Sequence, residues 1–201
     1  MTRKYPPIAL ALIGGLIATP ALAHTGLGDA HGFAHGFAHP LGGLDHELAM
    51  VAVGVFAAQI GGRALWLVPL SFIVLMTFGG ALGVAGVAMP FVEICIACSI
   101  IALGALIALR VNPPIAAAMG LVGFFALFHG HAHGSEMPAE ASGLAYGLGF
   151  ILATAALHAV GVGLGLGVAR LGGNFGPRAA RAGGMAMAVA GVGLLTGFIP
   201  A

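Results

Sequence analysis

The sequence predicts an all-α integral membrane protein, a six-helix bundle that remains after an N-terminal signal peptide is removed. Three observations carry that reading. Hydrophobic residues make up 60% of the chain and charged residues only 6%, against about 25% charged in soluble domains. Apolar runs long enough to span a bilayer recur along the chain, broken by Gly, Pro and isolated charges. Glycine contributes 35 residues, and small residues are what let helices approach closely in lipid, where a Leu gains nothing by leaving acyl chains for another helix.

The first element is the leader. Arg3 and Lys4 form a basic start, Ile8 to Ala18 is an apolar stretch, and Ala21-Leu22-Ala23 has the small-x-small form of a cleavage site. Residues 1–23 are therefore expected to be removed; the alternative is an uncleaved anchor helix. Cleavage would leave His24 as the new terminus, with a free amine and an imidazole that can chelate a metal together. Residues 24–40 follow as an outer histidine-rich segment. The tandem "AHGFAHGFAH" within it reads either as a flexible linker or as a tail that captures metal.

Residues 41–201 form the membrane domain. Its helices are expected at 41–60, 64–88, 90–109, 114–129, 141–169 and 179–199. The fourth is short for a crossing because a polar histidine knot ends it. The fifth is long and rich in glycine, so a tilt or a break is expected. With the mature N-terminus outside, Arg63, Arg110, Arg170, Arg178 and Arg181 all fall on the inner side, as the positive-inside rule requires. The expected location is the inner (cytoplasmic) membrane, multi-pass, with the mature N-terminus toward the periplasm.

The other ionisable groups collect on the opposite side. Four of the nine histidines lie in "HGFAHGFAHPLGGLDHE", residues 31–47, which runs straight into the first apolar segment. A second knot, "FHGHAHGSE", occupies residues 128–136. Glu93 sits at the outer end of the third span, and Glu140 reads as a solvated loop acid. An ionised Asp in a bilayer costs about 2.5–3.5 kcal/mol even on the lenient insertion scale, and no Lys or Arg on that side can pair with Asp45 or Glu93. Histidine or a metal dication is what remains. The mature chain has five Arg, no Lys and six acids, a balance that excludes nucleic acid as a partner. Cys95 and Cys98 have the C-x-x-C spacing but no polar neighbours, so they read as small packing residues.

The spacing refines the metal reading. His39 and His46 stand about 10 Å apart along a continuous helix, too far for one ion. Pro40 and the pair Gly42–Gly43 permit a late or bent start that returns His39 toward Asp45 and His46. His129 and His133, four apart, share a helical face. Glu136 joins them if the helix breaks after Gly134. His158, alone in the fifth span, reads first as a helix-to-helix hydrogen bonder. The donor set of imidazole and carboxylate without thiolate suits Ni(II), Co(II), Zn(II) and Cu(II) rather than Cu(I).

"HPLGGLDH" fits H-x5-D-H, and "FHGHAHGSE" fits F-H-G-x-A-H-G-x-E. With both motifs in order, a leader and six spans in about 200 residues, the mature chain as a whole resembles the HupE/UreJ family of nickel or cobalt permeases. The resemblance implies that His39, Asp45, His46, His129, His133 and Glu136 handle the metal, with Phe128 shaping the site. His131 falls on a variable position of the motif. Glu93, His131 and His24 complete the candidate metal-handling set.

The expected function is therefore secondary uptake of divalent nickel, with cobalt or zinc as further candidates, by a protein with no prosthetic group. The expected partners are the metal ion and the lipid bilayer; self-association is left open. A metal sensor or accessory subunit that does not transport is the main alternative. An intramembrane metalloenzyme is the weaker one, since "HELAM" has Met50 where H-E-x-x-H needs its second histidine.

Overall fold

The computed structural model describes residues 28–137, 143–172 and 174–200, and those residues form helices and no strands. The expected leader, His24 and Glu140 lie outside the described residues. Seven α-helices follow in order: α1 Gly28–Ala38, α2 Leu44–Ile60, α3 Ala64–Val84, α4 Val92–Ala108, α5 Ile115–Ser135, α6 Gly143–Ala169 and α7 Phe175–Leu195. One turn of 3-10 helix, His39–Leu41, joins α1 to α2.

Helices α2 to α7 correspond to the six expected segments; α1 precedes them. Within the histidine-rich segment, for which the sequence leaves both a flexible linker and a capturing tail open, Gly28–Ala38 is helical. It packs on α6, where a side chain on Gly36 would meet the Tyr146 backbone and one on Gly149 would meet that of Phe33. The fourth segment is also longer than expected. Helix α5 has 21 residues and carries the whole histidine knot, with no break at Gly134.

Helices α3, α5 and α6 are each long and apolar enough to cross a membrane, and the pair Gly32–Leu41 and Leu44–Ile60, bent by 80°, is long and apolar enough for a fourth only when its two pieces count as one span. Against the six expected crossings, α4 is an apolar helix of only 17 residues, at the lower limit for a span. Helix α7 carries Arg178 and Arg181 in its first two turns. Trp66, Leu70, Val74 and Phe78 recur at every fourth position of α3 and are all exposed, as are Leu144, Leu148 and Leu152 on α6. Such apolar rows are an aggregation liability in water and the ordinary surface of a protein in lipid.

Glycines set which helices touch. On α5, side chains at Gly130 and Gly134 would run into the backbone of Met76 and Gly80 on α3, and on α3 those at Gly79 and Gly83 would run into Leu127 and His131. Two G-x-x-x-G stripes thus face each other. Gly54 and Gly161 do the same for α2 and α6, and Gly104 and Gly184 for α4 and α7. Backbones brought this close gain van der Waals contact, the main attraction available between helices in lipid.

The successive helices run up and down, so the bundle has two chemically different ends. Arg63, Arg110, Arg170, Arg178 and Arg181 sit at one end. There Gln59 donates to the carbonyls of Leu106 (3.3 Å) and Val111 (3.0 Å) and ties α2 to the end of α4. A cavity of about 640 Å³ opens at this end, lined by Gln59, Arg110, Gly176 and Met187 among others. The histidine knots sit at the opposite end.

Candidate metal centre

The local chain explains the first motif. Pro40 lies in the 3-10 turn, and Gly43 caps α2 with φ −118° and ψ 123°, an extended residue between two helical pieces. A Cβ on Gly43 would stand 2.8 Å from Asp45 Oδ1 and 3.2 Å from His46 Nδ1, so only glycine leaves room for those two groups to meet. The bend folds His39 back over the start of α2.

Asp45 is 4% exposed. Its Oδ1 accepts from the His46 backbone N–H at 2.8 Å and from His46 Nδ1–H at 2.7 Å. Because the carboxylate only accepts, the ring proton is on Nδ1 and the Nε2 lone pair is left free, the arrangement that carboxylate–histidine pairs use to present a nitrogen to a metal. His46 Nε2 is buried with no partner. His129 repeats the pattern. Its Nδ1–H donates to the Phe125 carbonyl at 3.1 Å, and its buried Nε2 is unpartnered.

One turn further along α5, His133 is 4% exposed and neither ring nitrogen has a partner. Its ring centroid lies 4.2 Å from that of His46 and 4.8 Å from that of His39. His39 Nε2 is 3.1 Å from Glu136 Oε2. One ligand atom each from His39, His133 and Glu136 lies within 4.8 Å of the other two, a two-nitrogen, one-oxygen set open to a first-row dication. His46 and His129, with centroids 5.4 Å apart, continue the row inward. Four imidazoles thus form a line from the half-exposed His39 to the fully buried His129.

Residues 10–194 match the family model described as HupE / UreJ protein. The chain belongs to the HupE/UreJ family. It is 44% identical over 195 residues, covering 96% of this chain and all of the relative, to Protein HupE of Rhizobium leguminosarum bv. viciae. No solved structure matches it.

In this HupE/UreJ chain the two quoted motifs meet in space, although 97 residues separate His39 from Glu136. Glu136 reaches His39 as the C-cap of an unbroken α5; the expected break after Gly134 is not needed. Other candidates stand elsewhere. His131 lies between His129 and His133 in sequence but faces the other way, and its Nε2–H donates to the Val87 carbonyl at 2.6 Å. Glu93 is exposed in the first turn of α4 and makes no hydrogen bond or ion pair among the described residues. The Phe128 ring pairs with Phe124, centroids 5.3 Å apart, along α5.

The aromatic walls come instead from residues that the sequence reading passed over. Phe150 lies 4.2 Å from the His133 ring, Tyr146 lies 5.9 Å from the His39 ring, and Phe72 lies 5.4 Å from the His129 ring. Tyr146 is one of only two tyrosines in the chain, and its polar hydroxyl in an apolar run was the one available signal. Phe72 and Phe150 carry none.

Proposed function

We propose that this chain is a secondary permease that takes up divalent nickel, with cobalt as a second substrate, across the cytoplasmic membrane. Its mature N-terminus and histidine end face the periplasm in this reading, and its arginine end faces the cytoplasm. Family membership and the arginine distribution support both statements. The observation that carries the reading is the row of buried imidazole nitrogens without partners. Unsatisfied polar atoms in a bundle interior cost free energy, and a line of them at one end, with His46 aimed by the Asp45 carboxylate and His129 by the Phe125 carbonyl, suits a cation that moves from one to the next.

The steps follow from the geometry. His39 and Glu136, partly open to solvent, exchange the first water ligands of an arriving ion for a nitrogen and an oxygen. His133 draws it between the Phe150 and Tyr146 rings, where water is excluded. His46 and His129 then take over, their free Nε2 atoms held in place by Asp45 and the Phe125 carbonyl. The Asp45 carboxylate offsets part of the dication's charge in this dry region. A dication entering a cell that is negative inside gains about 4.6 kcal/mol per 100 mV, twice the single-charge value, so the membrane potential suffices as a driving force.

The test is reconstitution of the purified protein in liposomes, with nickel, cobalt and zinc entry followed under an imposed inside-negative potential. Wild type is expected to admit nickel, and His46→Ala and His133→Ala to reduce entry to the level of empty liposomes. Tight nickel binding without entry in the wild type would sink the permease and favour a sensor or accessory subunit.

A further inference from the structure

His158 is a buried histidine that the site above leaves unused. It lies on α6, about 18 Å along the helix from Tyr146, near the middle of the bundle. It is 2% exposed, and neither ring nitrogen has a hydrogen-bond partner. A histidine kept to tie two helices together would show an acceptor for its N–H, and this one shows none. Helix α2 closes one side of it, since a side chain on Gly54 would collide with the His158 carbonyl.

The opposite side faces α3. Phe72 and Met76 are one turn apart on α3, and His158 and Thr154 are one turn apart on the antiparallel α6. The Phe72 and His158 rings meet edge to face with centroids 4.9 Å apart. The Thr154 hydroxyl lies 3.6 Å from Met76 Sδ. His129 contacts Phe72 as well, so one phenyl ring separates the last imidazole of the outer row from His158. A cavity of about 390 Å³ between α3, α5 and α6 is lined by both His133 and Met76, so the outer cluster and the Met76 side chain border one space.

We propose that His158, with the Met76 thioether and the Thr154 hydroxyl, forms a second and weaker cation station midway through the bundle, reached from the outer histidines past Phe72. The donors are one imidazole nitrogen, one soft sulfur and one hydroxyl oxygen, a set that suits late first-row dications over Mg(II) or Ca(II). None of the three carries a charge, so the station holds a dication loosely. Conduction requires sites that are favourable enough to enter and weak enough to leave. Its role in transport rests on the permease reading; its contact with metal does not.

The two claims separate experimentally. His158→Cys puts a thiol at the station, and the full-length chain is purified and loaded with Co(II). A thiolate-to-cobalt charge-transfer absorption in the near ultraviolet, above the background that Cys95 and Cys98 give in the wild type, is expected. His158→Leu is expected to keep nickel binding at the outer cluster unchanged, which also certifies its folding, while liposome entry falls roughly tenfold or more. No added absorption in His158→Cys overturns the station. Entry by His158→Leu within about twofold of wild type removes it from the route, against a tenfold expectation. Should the wild type itself show no entry, the permease reading fails alone, and the cobalt absorption still decides whether His158 touches metal.

Discussion

Asp45→Asn separates a carboxylate that positions a ligand from one that is itself a ligand. Asp45 touches His46 twice, through the ring Nδ1 at 2.7 Å and the backbone nitrogen at 2.8 Å, and it is not among the three residues whose ligand atoms converge at the outer cluster. Asparagine keeps the shape and an oxygen that accepts from Nδ1–H, so His46 stays in the same tautomer. What is lost is the charge, and with it about half the strength of the hydrogen bond and the electron donation that makes Nε2 a better ligand. Outer-shell partners of this kind are worth about 10–100-fold in metal affinity, or about 1.4–2.7 kcal/mol at 1.36 kcal/mol per decade. Weakening that bond and burying the new amide group cost the fold about 1–3 kcal/mol, so thermal unfolding of the purified variant is measured beside its affinity. Isothermal titration of the protein in nanodiscs with nickel at fixed pH should give unchanged stoichiometry and a Kd weakened within that range. His46→Ala in the same assay should lose binding. An Asp45→Asn affinity equal to wild type would show that the carboxylate does not work through His46. Complete loss of binding would make it a direct ligand. Either result refutes the positioning role.

Other consequences follow from the packing. Gly130→Ala places a methyl against the Met76 carbonyl and the Gly80 nitrogen, backbone atoms that cannot rotate away, and overpacking of this kind costs about 1–3 kcal/mol; thermal unfolding in nanodiscs should show the drop together with impaired nickel entry. Gly163→Ala meets open space and should leave both unchanged or raise stability by up to about 1 kcal/mol from helix propensity, so equal behaviour of the two variants would remove the glycine lock as the cause of the α3–α5 contact. His131→Leu should lose the bond to Val87 and about 1 kcal/mol of stability while keeping nickel stoichiometry and affinity; a lost equivalent of nickel would make His131 a ligand after all.

Much of the molecule is legible without coordinates. Composition and run length mark a membrane protein because a bilayer imposes a length and an apolarity that few soluble chains meet. The split of arginines from histidines and acids predicts two unlike ends, and helices α2 to α7 realise it. The pairing of His129 with His133 follows from helical spacing alone, whereas His131, one of the sequence candidates, is seen to turn to the Val87 carbonyl only in the fold. The motifs name the family.

Which residues surround those histidines was not legible, and the reason is the solvent. In water the buried face of a helix announces itself by alternating with a polar face. In lipid both faces are apolar, so Phe72, Met76 and Phe150 look in sequence like the lipid-facing Leu70, Val74 and Leu152 beside them. Which of these turn inward is decided by close glycine contacts such as Gly130 on Met76, and a glycine's partner is a property of the fold. The same holds for α1. Eleven residues make too short a helix to persist alone in water, and nothing in "HGFAHGFAH" shows that Gly36 and Gly149 will seat it on α6. The 80° bend after it was permitted by Pro40, Gly42 and Gly43. It is chosen by the contacts that His39 makes with His133 and Glu136, nearly a hundred residues away, which only the folded chain brings within reach.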